Sequence, residues 1–148
     1  MIYQQQMDPK LENVIFVQAE KMIRQTRENT KKVFAEHGYD VTVDQWLILK
    51  KIEEQNGCSQ ILLAETTFKD PASIKRILDI LQEKGLVDRR IKEENKKEHR
   101  VSLTKKGDGL VSRMIPVVHE LRKMATEGFT EGERYALLHL LKKMNKNL

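Results

Sequence analysis

The sequence predicts a mainly α-helical chain with a single small β-ribbon, and three observations predict it. Apolar residues recur at helical spacing through six segments of the 148 residues. Only 86–103 alternates in the manner of strands instead. The whole net charge of +5 lies in 69–106, where twelve Lys and Arg face seven acids, while the rest of the chain carries fifteen of each sign. A neutral body with one basic segment is the footprint of a protein that neutralises phosphates.

The first helix is expected to open at Asp8-Pro9, a cap followed by proline at the first helical position. Leu11, Val14, Ile15, Met22, Ile23, Val33 and Phe34 carry it to His37-Gly38, with Gly38 as the C-cap. At about 1.5 Å per residue it reaches roughly 40 Å, too long for a small domain to cover. Thr42 and Gln45 form a capping-box pattern that starts the second helix; Val43, Trp46, Leu49 and Ile52 point inward and Asn56-Gly57 stops it. A short third helix runs from Ser59 through Ala64, with Cys58 in the loop before it.

After a turn at 66–69, Asp70-Pro71 repeats the cap-plus-proline start, and Gly85 ends the fourth helix. A 100° step puts Ile74, Ile77, Leu78 and Leu81 on one face and Ala72, Lys75, Arg76, Asp79 and Glu83 on the other. Leu86–Ile91 and His99–Leu103 read as two strands around a charged tip at 93–98. Thr104 caps a fifth helix, in which Pro116 predicts a kink or a division into two. Thr130 and Glu133 open the last, with Leu137, Leu138, Leu141 and Met144 along one stripe.

Three consecutive short helices followed by a two-stranded ribbon make a winged helix-turn-helix. The stretch LLAETTFKDPASIKRILDILQEKGLVDRR, followed by VSLTKKG, resembles the MarR family of bacterial transcription regulators. The resemblance is carried by Leu63-Ala64, Asp70-Pro71-Ala72-Ser73, Leu81 with Gly85-Leu86-Val87, and Val101-Ser102-Leu103-Thr104 with Gly107. It implies a repressor that acts as a homodimer on a pseudo-palindromic operator, with half-sites about one helical turn, roughly 34 to 36 Å, apart. It also implies three parts: an N-terminal dimerisation helix at 1–41, a DNA-binding lobe at 42–104, and C-terminal dimerisation helices at 105–148.

Under that resemblance Ser59 and Gln60 meet phosphate, and Ser73, Lys75 and Arg76 enter the major groove. Arg90, Lys92, Lys96, Lys97 and Arg100 supply the wing's positive charge. Two positions depart from the family pattern. Where members carry Asp-x-Arg in the wing, the Arg reaching the minor groove, this chain has Asn95 and Lys97, and Lys lacks the planar fork of Arg. The turn Thr67-Phe68-Lys69 has no glycine, so Phe68 is expected to fill core space there.

Dimerisation is reached independently from composition. With 39% hydrophobic and 33% charged residues, the chain is lean for a self-sufficient globule. Leu11, Val14, Ile15, Leu137, Leu138 and Leu141 form stripes on the terminal helices that a lobe of this size could not bury. Many family members bind small aromatic acids or phenols, which implies an effector near Trp46 and Tyr39, with Arg24 or Arg27 as counter-charge. The alternative is that Trp46 simply anchors the core of its helix.

Other chemistry is not expected. His37, His99, His119 and His139 are scattered without metal-ligand spacing, and no phosphate loop, nucleophile elbow or carboxylate pair can be placed, so neither an enzyme nor a cofactor is anticipated. Cys58 is the single cysteine, which excludes an internal disulfide. With no membrane-length apolar run and no signal-like start, the protein is expected to be soluble and cytoplasmic. A winged helix can instead bind protein or RNA. The first would want an apolar recognition face, where only Ile80 qualifies, and the second exposed aromatics, of which 69–106 has none.

Overall fold

A computed structural model describes residues 9–92 and 94–148, with the backbone alone at 92 and 95–98. The cap expected at Asp8 lies outside the described residues. A short 3-10 turn, Leu11–Asn13, precedes α1 at Ile15–Glu36. The first helix therefore starts at Ile15, six residues later than Pro9 suggests, and the side chain of its N-cap residue Val14 makes no capping hydrogen bond. Its end is as expected: Gly38 sits at φ +71°, and the Gly38 and Tyr39 N–H groups donate to the Ala35 and Phe34 carbonyls at 3.0 and 2.9 Å. This is the Schellman closure that glycine permits.

α2, Val43–Glu54, begins with the reciprocal box: Gln45 N–H donates to Thr42 Oγ1 and Thr42 N–H to Gln45 Oε1, both at 3.1 Å. Next comes an element the sequence reading lacked, β1 at Cys58–Ser59, paired antiparallel with Val101 and Arg100. Cys58 is thus not in a loop but in a buried strand, where burial pushes its thiol pKa up. α3, Gln60–Thr67, is capped by Ser59 Oγ, which accepts the Leu62 N–H.

α4 spans Pro71–Glu83, β2 Val87–Lys92 and β3 Asn95–Leu103. The sheet order is β1-β3-β2, with Val87 opposite Leu103, Arg89 opposite Val101, and a bulge between Ile91 and Lys92. Both strands reach further than expected, so the charged segment is mostly strand rather than loop. Below them Trp46, Ile48, Leu49, Ile52, Leu63, Ile74, Leu78, Leu81, Val87 and Val101 form the core. Each such aliphatic side chain contributes about 1.5 to 3 kcal/mol on burial.

α5, Lys105–Ala125, and α6, Glu131–Asn147, complete the chain. Thr104 Oγ1 accepts the Gly107 N–H at 3.0 Å and donates to the Gly85 carbonyl at 2.6 Å. A Cβ on Gly107 would lie 2.0 Å from the Leu86 carbonyl oxygen, so this crossing admits only glycine. α5 is one helix through Pro116 rather than two, although proline has no N–H for the Ser112 carbonyl. The chain divides into two compact units, Met1–Ser112 and Arg113–Leu148. No helix among the described residues is long and apolar enough to cross a membrane.

The turn between α3 and α4 reverses one expectation. Phe68 does not fill core space: it is 91% exposed and takes φ +56°. It closes α3 in the left-handed position that glycine usually occupies, at a cost of about 1 to 2 kcal/mol for an L-residue.

Candidate nucleic-acid interface

The entry to α4 is held by one side chain. Asp70 Oδ1 accepts the Ser73 N–H at 2.9 Å and Oδ2 the Ser73 hydroxyl at 2.6 Å, with Pro71 in the first turn. The Ser73 side chain and then its backbone N–H hold the Asp70 carboxyl below its ordinary pKa. From this fixed start Ala72, Lys75, Arg76 and Asp79 all face solvent, while Ile74 and Leu78 seat the opposite face in the core. Lys75 Nζ lies 3.1 Å from Asp79, whereas Arg76 forms no ion pair among the described residues. The exposed face thus offers a small side chain, a tethered cation and an unengaged guanidinium with five donors.

Arg89 was not singled out in the sequence, yet it ties the ribbon to α4. Its Nε donates to Gln82 Oε1 at 2.8 Å and its Nη2 to Asp79. Hydrogen bonds from Arg89 and then Lys75 hold the Asp79 carboxyl below its ordinary range. Arg90, the neighbour that the sequence did select, points to solvent. Arg100 is half-buried, and its Nη1 donates to the Gly57 carbonyl at 3.1 Å, so it secures the loop before β1. The backbone of Lys92, Lys96 and Lys97 lies in the two wing strands; their side chains lie outside the described residues. Strand alternation, a local signal, separates Arg89 from Arg90, but only the register against Val101 says which one faces the core.

Ser59 and Gln60 border a groove of about 470 Å³ with Ile61, Ala64, Lys69 and His99. The Ser59 hydroxyl caps α3 through its lone pair and keeps its proton free to donate.

A second cavity, about 460 Å³, is lined by Arg27, Lys31, Phe34, Tyr39, Asp44 and Lys84, among others. Of the four effector candidates, Tyr39 and Arg27 line it. Trp46 is buried behind it, its ring centroid 6.5 Å from that of Phe34, and Arg24 pairs with Glu28 instead. Both Arg27 Nη atoms lie 3.1 Å from Asp44 Oδ1, and Lys69 Nζ lies 3.0 Å from Oδ2. Burial alone would raise the Asp44 pKa; hydrogen bonds from Lys69 and Arg27 outweigh it and hold the carboxyl low. Lys84 pairs with Asp40 at 3.2 Å.

On the terminal helices Leu11, Ile15, Leu137 and Leu138 are exposed, and Val14 and Leu141 are half-buried.

Residues 41–99 match the family described as MarR. Among solved structures, BpsR of Bordetella bronchiseptica, described for regulation of its DNA binding by 6-hydroxynicotinic acid, superposes with a TM-score of 0.85 at 19% identity, covering 94% of this chain and 98% of that one. The transcriptional regulator SlyA gives 0.82 at 26% identity, covering 90% and 92%. A mutant MarR from E. coli complexed with operator DNA gives 0.74 at 24% identity, covering 93% and 99%.

Proposed function

We propose that this chain, whose residues 41–99 match the MarR family, is a homodimeric repressor that binds a pseudo-palindromic operator in duplex DNA. The observation that carries the reading is the capped α4, which turns Ala72, Lys75 and Arg76 outward from the one segment that holds the chain's net charge. Ser73, Lys75 and Arg76 read the major groove; Ser59 and Gln60 meet phosphate. Arg90, Lys92, Lys96 and Lys97 follow the backbone along the wing, and Arg100 holds the wing's base. Phosphate contacts position the protein and base contacts specify the sequence.

The terminal stretches 1–41 and 105–148 supply dimerisation, because their leucines and isoleucines would otherwise remain in water. A folded protein gains little by leaving several such side chains exposed along one stripe. The chain works in the cytoplasm, as a binding protein rather than an enzyme.

A small aromatic or phenolic acid is the effector that suits the cavity at Tyr39. Arg27 and Lys31 supply cations, and Phe34 and Tyr39 an apolar wall. Support comes from BpsR, described as regulated by 6-hydroxynicotinic acid, and from PcaV of Streptomyces coelicolor, described in complex with its natural ligand.

The test is selection of duplexes from a random-sequence pool, followed by titration against scrambled duplex and RNA over a range of salt. Enrichment of an inverted repeat with strong salt dependence is expected. Enrichment of no sequence, or equal binding to RNA, sinks the reading.

A further inference from the structure

We propose that Phe68 is a specificity-determining side chain of the DNA-binding surface, placing an apolar edge against a thymine methyl group beside the base contacts of α4. The inference rests on the DNA-binding reading above and adds a residue and a base class to it.

Two features of Phe68 are unfavourable in the protein alone. Its backbone holds the left-handed conformation that glycine adopts without strain, and its ring is 91% exposed. A strained, exposed aromatic side chain calls for a compensating contact elsewhere. The ring is also displayed from a fixed turn. On one side Thr67 Oγ1 donates to the Leu63 carbonyl, and on the other the Lys69 N–H donates to the Ala64 carbonyl at 3.2 Å while its ammonium is held by Asp44. With both neighbours anchored, little backbone entropy is left to lose on contact.

Position selects the occupant. Phe68 lies two residues before Asp70, so its Cα is at most about 7.6 Å from that of the residue that caps α4. In helix-turn-helix docking the N-terminal residues of the second helix meet base edges in a groove about 12 Å wide. Ile61, 69% exposed, and Ala64 precede Phe68 at helical spacing along α3, giving an apolar strip beside the cationic face. The apolar feature unique to that groove is the thymine C5-methyl, which phenylalanine suits. Duplex DNA is favoured over a protein partner because α4, which Phe68 precedes, exposes Lys75 and Arg76, and the groove that Ile61 and Ala64 line also holds Lys69 and His99.

The experiment uses the full chain and the duplex it enriches from a random pool. Phe68→Gly is compared with the wild type for thermal stability, for affinity to that duplex, and for affinity to the same duplex with uracil replacing thymine in the half-sites. Glycine suits the backbone, so the variant should melt at the same or a higher temperature, yet bind the selected duplex on the order of tenfold more weakly. Uracil replacement should weaken the wild type and leave the variant nearly unchanged. Equal affinity of variant and wild type overturns the inference, as does an equal uracil penalty in both. A loss by the variant confined to single-stranded RNA overturns it in favour of base stacking. If the chain enriches no duplex, the DNA-binding reading falls with it; an enriched duplex that ignores Phe68→Gly overturns this inference alone.

Discussion

Asp44 and Lys69 meet at 3.0 Å, 25 residues apart in sequence, and join the first turn of α2 to the turn that precedes α4. The other oxygen of the same carboxylate takes Arg27 from α1. One side chain therefore links a wall of the Tyr39 cavity to the turn that leads into α4.

Asp44→Asn should reduce stability by about 1 kcal/mol or less, as expected for partly exposed pairs. The folded Asp44 carboxyl titrates below its unfolded value of about 3.9, so its contribution is fully present above that pH and disappears as pH falls through the lower folded value. Melting curves of wild type and variant should separate at neutral pH and converge in acid. A gap that widens steadily as the pH falls into the acid range contradicts the role given to the carboxylate.

Gly107→Ala should be severely destabilising, by roughly 1 to 3 kcal/mol or more, because the new Cβ meets the Leu86 carbonyl, a backbone atom that cannot swing aside. Denaturant titration reads this directly. An alanine variant as stable as the wild type would show that α5 can move off β2 without cost.

Local chemistry made much of this fold legible. The pairs Thr42 with Gln45 and Thr130 with Glu133 sit three residues apart and form both capping boxes, and Asp70-Pro71 and Gly85 bracket α4 as read. What escaped depends on partners distant in the chain. β1 is two residues long and exists only by pairing with Val101 and Arg100, so no pattern within Cys58-Ser59 could reveal it. The glycine-free turn suggests a core position for Phe68, but whether its side chain points inward or outward depends on how α3 and α4 pack, and it is exposed. At the site, the exposed face of α4 was legible from helical periodicity, whereas Arg89 and Lys69 became visible only once Asp79 and Asp44 had come into reach.

Arg76→Ala should cost about 1 to 3 kcal/mol of affinity for the selected duplex and relax preference at one position of each half-site. Lys97→Ala should instead weaken all duplexes alike and flatten the salt dependence, since log K falls by about 0.9 per counterion released. Should Lys97→Ala alter sequence preference more than Arg76→Ala, the roles of helix and wing are exchanged.

A charge placed at Leu138 or Leu141 should lower stability and operator affinity together. Leu138 is 53% exposed on α6, and the proposed dimer would cover it. Sedimentation of the wild type at low micromolar concentration should give a dimer, and the Leu138→Asp variant should dissociate. A folded wild-type monomer with full operator affinity removes the dimer from the proposal.

The proposed effector would act through the shared carboxylate. An aromatic acid entering the cavity beside Tyr39 and Phe34 brings its own carboxylate to Arg27 and Lys31, in competition with Asp44. Displacing Asp44 from Arg27 would then shift Lys69, its other partner, and with it the turn before α4. The ligand can shift DNA binding only by its differential affinity for the bound and free arrangements, and DNA must weaken the ligand by the same factor. Trp46 reports occupancy because it packs on Phe34, which lines the cavity. A panel of aromatic acids should therefore contain compounds that quench Trp46 fluorescence and release operator at matching concentrations. Lys31→Gln, which leaves the Arg27–Asp44 pair in place, should weaken the quenching while retaining DNA binding. If no compound in a broad panel does either, a constitutive repressor describes the protein better than an inducible one.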